Sequence, residues 1–121
     1  MRPQILAMMT LALIFVVSCT EKKSTDSSAA TMTMTAEQLI ARGKAVYETS
    51  CSACHGVDAK QDGVTGPAIA DSSLELLTAR VLRGDYPVGY SSKRPTKIMI
   101  ALPHLEKEIP AIFAYLSSLK P

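Results

Sequence analysis

Five consecutive residues, Cys51-Ser52-Ala53-Cys54-His55, constrain this chain more than any other stretch. The spacing C-x-x-C-H is that of a c-type haem attachment site. Two thiols separated by two residues share one helical turn, close enough to add to the two vinyl groups along one porphyrin edge. A histidine directly after the second thiol falls beneath the ring, where its imidazole can ligate the iron.

The same residues could serve other chemistry. A zinc site needs four ligands, and only Cys51, Cys54, His55 and the distant His104 are available, with no second pair at zinc-ribbon spacing. A dithiol redox pair belongs beside a β-α-β pattern, and none is visible. A chance match to five residues is the remaining alternative, and in a short chain with an export signal haem attachment is favoured over it.

A chain of 121 residues has room for one small domain plus appendages. Residues 36 to 121 would bury only about 60–65% of their unfolded surface, which is marginal without a staple. A covalently held porphyrin would be both staple and core. Cysteine usage agrees: Cys51 and Cys54 go to the haem and Cys19 to an export signal, leaving none for a disulfide. A net charge of +2, with no interleaving of basic and aromatic residues, argues against nucleic acid as a partner.

Residues 1–18 carry Arg2, an apolar run from Ile5 to Val17, and the small residue Ser18. The run is shorter than the roughly 20 residues that span a bilayer, so it reads as a signal peptide. Val16-Val17-Ser18-Cys19 resembles the lipobox of bacterial lipoproteins, with Val16 in place of the preferred leucine. The resemblance implies cleavage before Cys19 and lipid on its sulfur and new amino group. An unlipidated Cys19 would be an exposed thiol in an oxidising compartment. Residues 19–35 are then a lipidated cysteine and a flexible linker, polar and without apolar periodicity. Met32 and Met34 form an M-x-M pair of the kind that can hold Cu(I), but in a linker it reads as composition.

The first helix begins at Thr35, where Thr35-Ala36-Glu37-Gln38 fits a capping box. Leu39, Gly43, Val46 and Tyr47 share a face, and the helix runs into Cys51. A glycine inside a helix is unfavourable by about 1 kcal/mol, so Gly43 marks a close crossing by another helix. Asp71, Ser72 or Ser73 can cap a second helix with Leu74, Leu77, Val81 and Leu82 as its apolar face, and Gly84 ends it. Residues 85 to 98 form a loop with Tyr86, Tyr90, Lys93, Arg94 and Lys97. Tyr90 and Arg94 are candidate donors to haem propionates, since a buried carboxylate must find partners and the chain has no Trp. Ile109, Ile112, Phe113, Leu116 and Leu119 make the stripe of a third helix.

The stretch from Gly43 to Gly56, GKAVYETSCSACHG, resembles the opening of class I monohaem cytochromes c. So do the loop with Gly56, Asp58 and Gly63, the dipeptide Gly66-Pro67, and the closing Ala114-Tyr115-Leu116. The resemblance covers residues 36 to 120. It implies an all-α fold of three main helices around one covalent haem c, the first and last crossing near Gly43. It assigns the carbonyl of Pro67 as hydrogen-bond acceptor for Nδ1 of His55. It also places an axial methionine six residues before the leucine that introduces the last helix, a spacing that Met99 and Leu105 have. Ile100 stands where the family has proline, and Pro110 falls in the first helical turn. The iron ligands are then His55 and Met99. Met99 is the one methionine after the linker, whereas His104, the rival sixth ligand, lies just before a helix start.

With both axial positions filled, the expected activity is one-electron transfer rather than catalysis, on the periplasmic side of a membrane to which lipid anchors the chain. Donor and acceptor would be redox partner proteins. The alternatives are a haem c subunit fixed in a larger oxidoreductase, or a gas or redox sensor whose Met99 dissociates easily.

Overall fold

A computed structural model of the protein describes residues 34–121. The signal peptide, Cys19, most of the linker and the residue Met32 lie outside the described residues. What is described is all-α. Helix α1 spans Ala36–Ser50, α2 Ser52–His55, α3 Leu74–Arg83 and α4 Ile109–Ser118, with a 3-10 helix over Pro103–Glu108 running directly into α4. Among the described residues no strand forms, and no helix is long and apolar enough to cross a membrane.

Local chemistry sets the helix ends. Thr35 Oγ1 accepts from the Gln38 N–H at 3.3 Å, and Gln38 Oε1 accepts from the Thr35 N–H at 2.8 Å, so the capping box closes in both directions. Ser73 caps α3 by accepting from the Leu76 N–H at 3.1 Å. Gly84 stops it in the left-handed conformation, φ 73°, which a side chain would disfavour. Helix α1 runs up to Cys51 as expected, and the Cys51 N–H still donates to the Tyr47 carbonyl at 2.9 Å. Cys51 departs from helical geometry with φ −122° and ψ −37°, and α2 restarts at Ser52.

Helices α1 and α4 form the main packing layer. A Cβ on Gly43 would lie 1.9 Å from the carbonyl oxygen of Ala111, so only a residue without a side chain allows this crossing. Tyr47 packs on Tyr115 with ring centroids 5.4 Å apart, tilted by 50°. Tyr47, Ile112 and Leu116 are the large side chains most fully withdrawn from solvent. Burying each of these apolar groups contributes about 1.5–3 kcal/mol. Arg42 closes the far side of the crossing with a bidentate pair to Glu108, Nε to Oε2 at 2.9 Å and Nη2 to Oε1 at 2.5 Å.

Helix α3 presents Leu76, Leu77, Ala79, Arg80 and Val81 to the interior. The expected apolar face is corrected at one position: Leu74 is 46% exposed and Leu76 takes its place. With Ser73 as the cap, Leu74 is the first helical residue and projects beyond the packed layer. The chain then returns through residues 85–102, where the Leu102 N–H donates to the Val81 carbonyl at 2.6 Å. The 3-10 segment buries Leu105 against the core and delivers the chain to α4, whose second residue is Pro110. Proline is tolerated there because an amide in the first turn has no intrahelical acceptor.

Candidate functional site

One cavity of about 420 Å³ opens between α2, α3 and the 85–102 segment. Its walls are mostly apolar, with Ile69, Leu76, Leu77, Val81, Leu102 and Ile112 among them. Every candidate site residue within the described residues lines this one space: Cys51, Cys54, His55, Pro67, Tyr90, Arg94 and Met99. His104 is exposed and is not among the lining residues. Cys19, the candidate lipidation site, lies outside the described residues.

His55 is buried at the end of α2, with Nδ1 2.8 Å from the carbonyl oxygen of Pro67. A carbonyl can only accept, so Nδ1 carries the proton and Nε2 is left with its lone pair for a metal. Packing fixes the ring plane as well. A Cβ on Gly66 would stand 2.6 Å from His55 Nδ1 and 2.7 Å from Cε1. The Gly66 loop cannot retreat easily, because its N–H donates to the Cys54 carbonyl at 2.8 Å and its own carbonyl accepts from Gly63 at 2.9 Å. Tyr47 completes the frame from below, its hydroxyl donating to the Gly56 carbonyl at 2.5 Å.

Two groups here depart from their ordinary acidity. Burial pushes the Cys51 thiol up to about 11, with Cys54 nearby adding to the effect. The thiol is therefore neutral at physiological pH in the folded, unreacted chain. Burial likewise raises the Tyr47 hydroxyl to about 12, reinforced by Cys51, Tyr115 and Asp58. It stays protonated and remains a donor.

The opposite wall carries a cationic and aromatic column. The Arg80 guanidinium lies 4.4 Å from the centroid of Tyr86, and Tyr86 stacks on Tyr90 at 5.5 Å with an interplanar angle of 11°. Arg80 is 9% exposed and donates to the carbonyl of Gly84, with no carboxylate partner among the described residues. Sequence reasoning missed Arg80, because an apolar stripe on α3 says nothing of a charged residue sharing that face. The available signal was the expected need for a buried donor, the same need that singled out Tyr90 and Arg94. Arg94 lines the cavity, and its Nη2 donates to Asp62 Oδ2 at 2.9 Å and to the Gly63 carbonyl at 3.4 Å.

The arrangement can hold a flat apolar group by two thiols on one edge, ligate a metal from one face through His55, and offer the thioether of Met99 from the same cavity. In comparison with known proteins, the sequence model of the family described as Cytochrome c matches residues 40–120, more than half of the chain. No curated protein and no solved structure matches significantly.

Proposed function

Because the chain belongs to the cytochrome c family, whose members bind haem c covalently and transfer electrons through it, we propose that it is a monohaem, class I one-electron carrier with His55 and Met99 as axial ligands. The residues present fit that group. A cavity of about 420 Å³ lies within the range of cofactor pockets, about 300–1,000 Å³. Both thiols and the imidazole of the C-x-x-C-H motif line it, and the Gly66 backbone fills the space behind the imidazole where no side chain would fit. A single such motif supports one haem.

When bound, haem c supplies an iron that gains and loses one electron. The chain's own residues tune that exchange. Pro67 orients the histidine and, by accepting its Nδ1 proton, makes it a more basic ligand. Met99 offers a soft thioether, which favours the ferrous state and raises the potential. Apolar walls exclude water, and Arg80 and Tyr90 offer donors to propionates, with the remaining N–H groups of Arg94 near the same wall. Two filled axial positions leave no open site for a substrate, which supports a carrier rather than an enzyme.

The observation that carries this reading is the placement of His55 and Met99 on the walls of one cavity beside both thiols. It is tested by a reduced-minus-oxidised difference spectrum and a redox titration of the purified holoprotein. A reversible one-electron wave with a low-spin haem spectrum is expected; a high-spin spectrum in both states would reject ligation by both His55 and Met99.

Export and anchoring belong to the same proposal. Residues 1–18 act as a lipoprotein-type signal peptide, Cys19 takes the lipid, and the linker to residue 35 leaves the 36–121 domain free on the periplasmic side to meet redox partner proteins.

One observation favours a second reading, a haem subunit fixed in a larger oxidoreductase. Ile98 and Ile100 line the cavity yet are 63% and 73% exposed, an apolar rim that a permanent partner would cover. Co-migration with a large complex in mildly solubilised membranes would favour this reading over a free carrier.

A further inference from the structure

The segment that carries Met99 is hydrogen-bonded at its two ends, and between them it is held by side-chain packing, Met99 lying against the core. On its C-terminal side, the Leu102 N–H binds the Val81 carbonyl at 2.6 Å. Among the described residues, none from 95 to 101 makes a backbone–backbone hydrogen bond. The N-terminal end is held instead by two adjacent cations. Lys93 Nζ donates to Asp71 Oδ1 at 2.6 Å and to the Ala68 carbonyl at 2.9 Å, and Arg94 binds Asp62 and the Gly63 carbonyl.

All four acceptors lie in the 62–71 segment, the same stretch that positions the histidine. Pro67 gives its carbonyl to His55 Nδ1. The next residue, Ala68, gives its N–H to Asp62 Oδ1 at 2.8 Å and its carbonyl to Lys93. Three backbone groups of one dipeptide thus tie the wall that carries His55 to the loop that leads to Met99.

We propose that Lys93 and Arg94, through Asp71 and Asp62, are positioning residues that hold the Met99 segment against the cavity and set how often the sixth coordination position opens. This rests on the reading of Met99 as the sixth ligand. Exposed ion pairs add little to global stability, because water and salt screen them. Their effect here is local. Releasing them leaves residues 95–101 with the packing of Met99 and the Leu102 hydrogen bond alone, so the thioether withdraws more often while the α1/α4 core stays intact.

The test uses ferric holoprotein and imidazole as the incoming ligand. At saturating imidazole the binding rate reaches a plateau equal to the rate at which the native ligand leaves. Asp62→Asn with Asp71→Asn removes both charges but keeps the side-chain oxygen that accepts from the Ala68 N–H. The plateau should rise about 3- to 10-fold, the product of two weak exposed pairs, and exchange of the Leu102 N–H, the bonded amide that ends the segment, should quicken with it. Asp71→Asn alone gives a smaller rise and serves if the double variant is poorly produced. Lys93→Arg, which retains the cation facing Asp71, should stay near wild type. Glu48→Gln, which breaks the exposed Lys44–Glu48 pair on α1, should change nothing.

A plateau and exchange rates unchanged in the Asp62→Asn/Asp71→Asn variant overturn the proposal, as does an equal rise from Glu48→Gln. Met99→Ala separates the two readings. It should abolish the plateau, leaving a rate that grows with imidazole concentration. If Met99→Ala keeps the wild-type plateau, the sixth-ligand reading fails first, and the positioning role fails with it even where amide exchange responds.

Discussion

The carbonyl oxygen of Ala111 occupies the space that a side chain on Gly43 would need, 1.9 Å from the position of its Cβ. The neighbouring Ala111 carbonyl carbon and Tyr115 Cβ would stand at 2.5 and 2.9 Å, so the obstruction is mainly backbone and cannot rotate away. This contact sets how closely α1 and α4 approach, and therefore where α1 delivers Cys51.

Gly43→Ala accordingly tests the fold. Alanine gains about 1 kcal/mol in helix propensity, but overpacking against backbone costs about 3 kcal/mol. The net loss of about 2 kcal/mol should lower the thermal midpoint of the holoprotein by about 8–16 °C. An unchanged midpoint would mean that the crossing is looser than the structure has it.

Gly66→Ala tests how the histidine is held. Its Cβ would press on the His55 ring at 2.6 Å, and the ring must move off the Pro67 carbonyl. A histidine that loses this hydrogen bond is a poorer donor and stabilises the ferric state less, so the midpoint potential should rise. A tenfold loss of ferric preference corresponds to about 59 mV for one electron. A potential that falls on redox titration would contradict this role for Pro67.

Tyr47 predicts an alkaline limit. Its folded pKa of about 12 lies above the ordinary 10.0, so its contribution to stability is complete below pH 10 and is lost as pH rises through 12. Chemical denaturation between pH 9 and pH 12 should show stability falling for wild type and falling less for Tyr47→Phe. At pH 7, Tyr47→Phe should cost about 1 kcal/mol, since it removes the donor to the Gly56 carbonyl.

These positions differ in how plainly the sequence announced them. The Thr35–Gln38 capping box and the Gly84 stop were legible because each is a local requirement, settled within one or two helical turns, and Gly43 because a glycine inside a helix is costly unless a close crossing needs it. The haem motif was legible for the same reason. Arg80 was not, since burial of a charge depends on Tyr86 and Gly84 closing over it, and periodicity records only apolar residues. The Arg94–Asp62 and Lys93–Asp71 pairs join residues 32 and 22 positions apart, a proximity that no local pattern encodes. The break at Cys51 was hidden too, because the apolar spacing of α1 continues smoothly towards it.

Anchoring is tested by Cys19→Ser. Loss of the lipid-accepting thiol should release any processed protein from washed membranes into the soluble periplasmic fraction, with haem content unchanged. Processed Cys19→Ser protein that stays with the membrane would show that something other than lipid on Cys19 holds it there.

The identity of the sixth ligand decides whether this is a high-potential electron carrier, and Met99 and His104 give opposite answers to one measurement. Met99 lines the cavity, whereas His104 is exposed outside it. Carbon monoxide binding to the reduced holoprotein, followed with the midpoint potential, should be negligible in wild type and in His104→Ala. In Met99→Ala the iron should bind carbon monoxide readily and the potential should fall, because the soft ligand that favoured the ferrous state is gone. The reverse pattern, with His104→Ala opening the iron and Met99→Ala silent, would contradict the assignment and the high-potential function built on it.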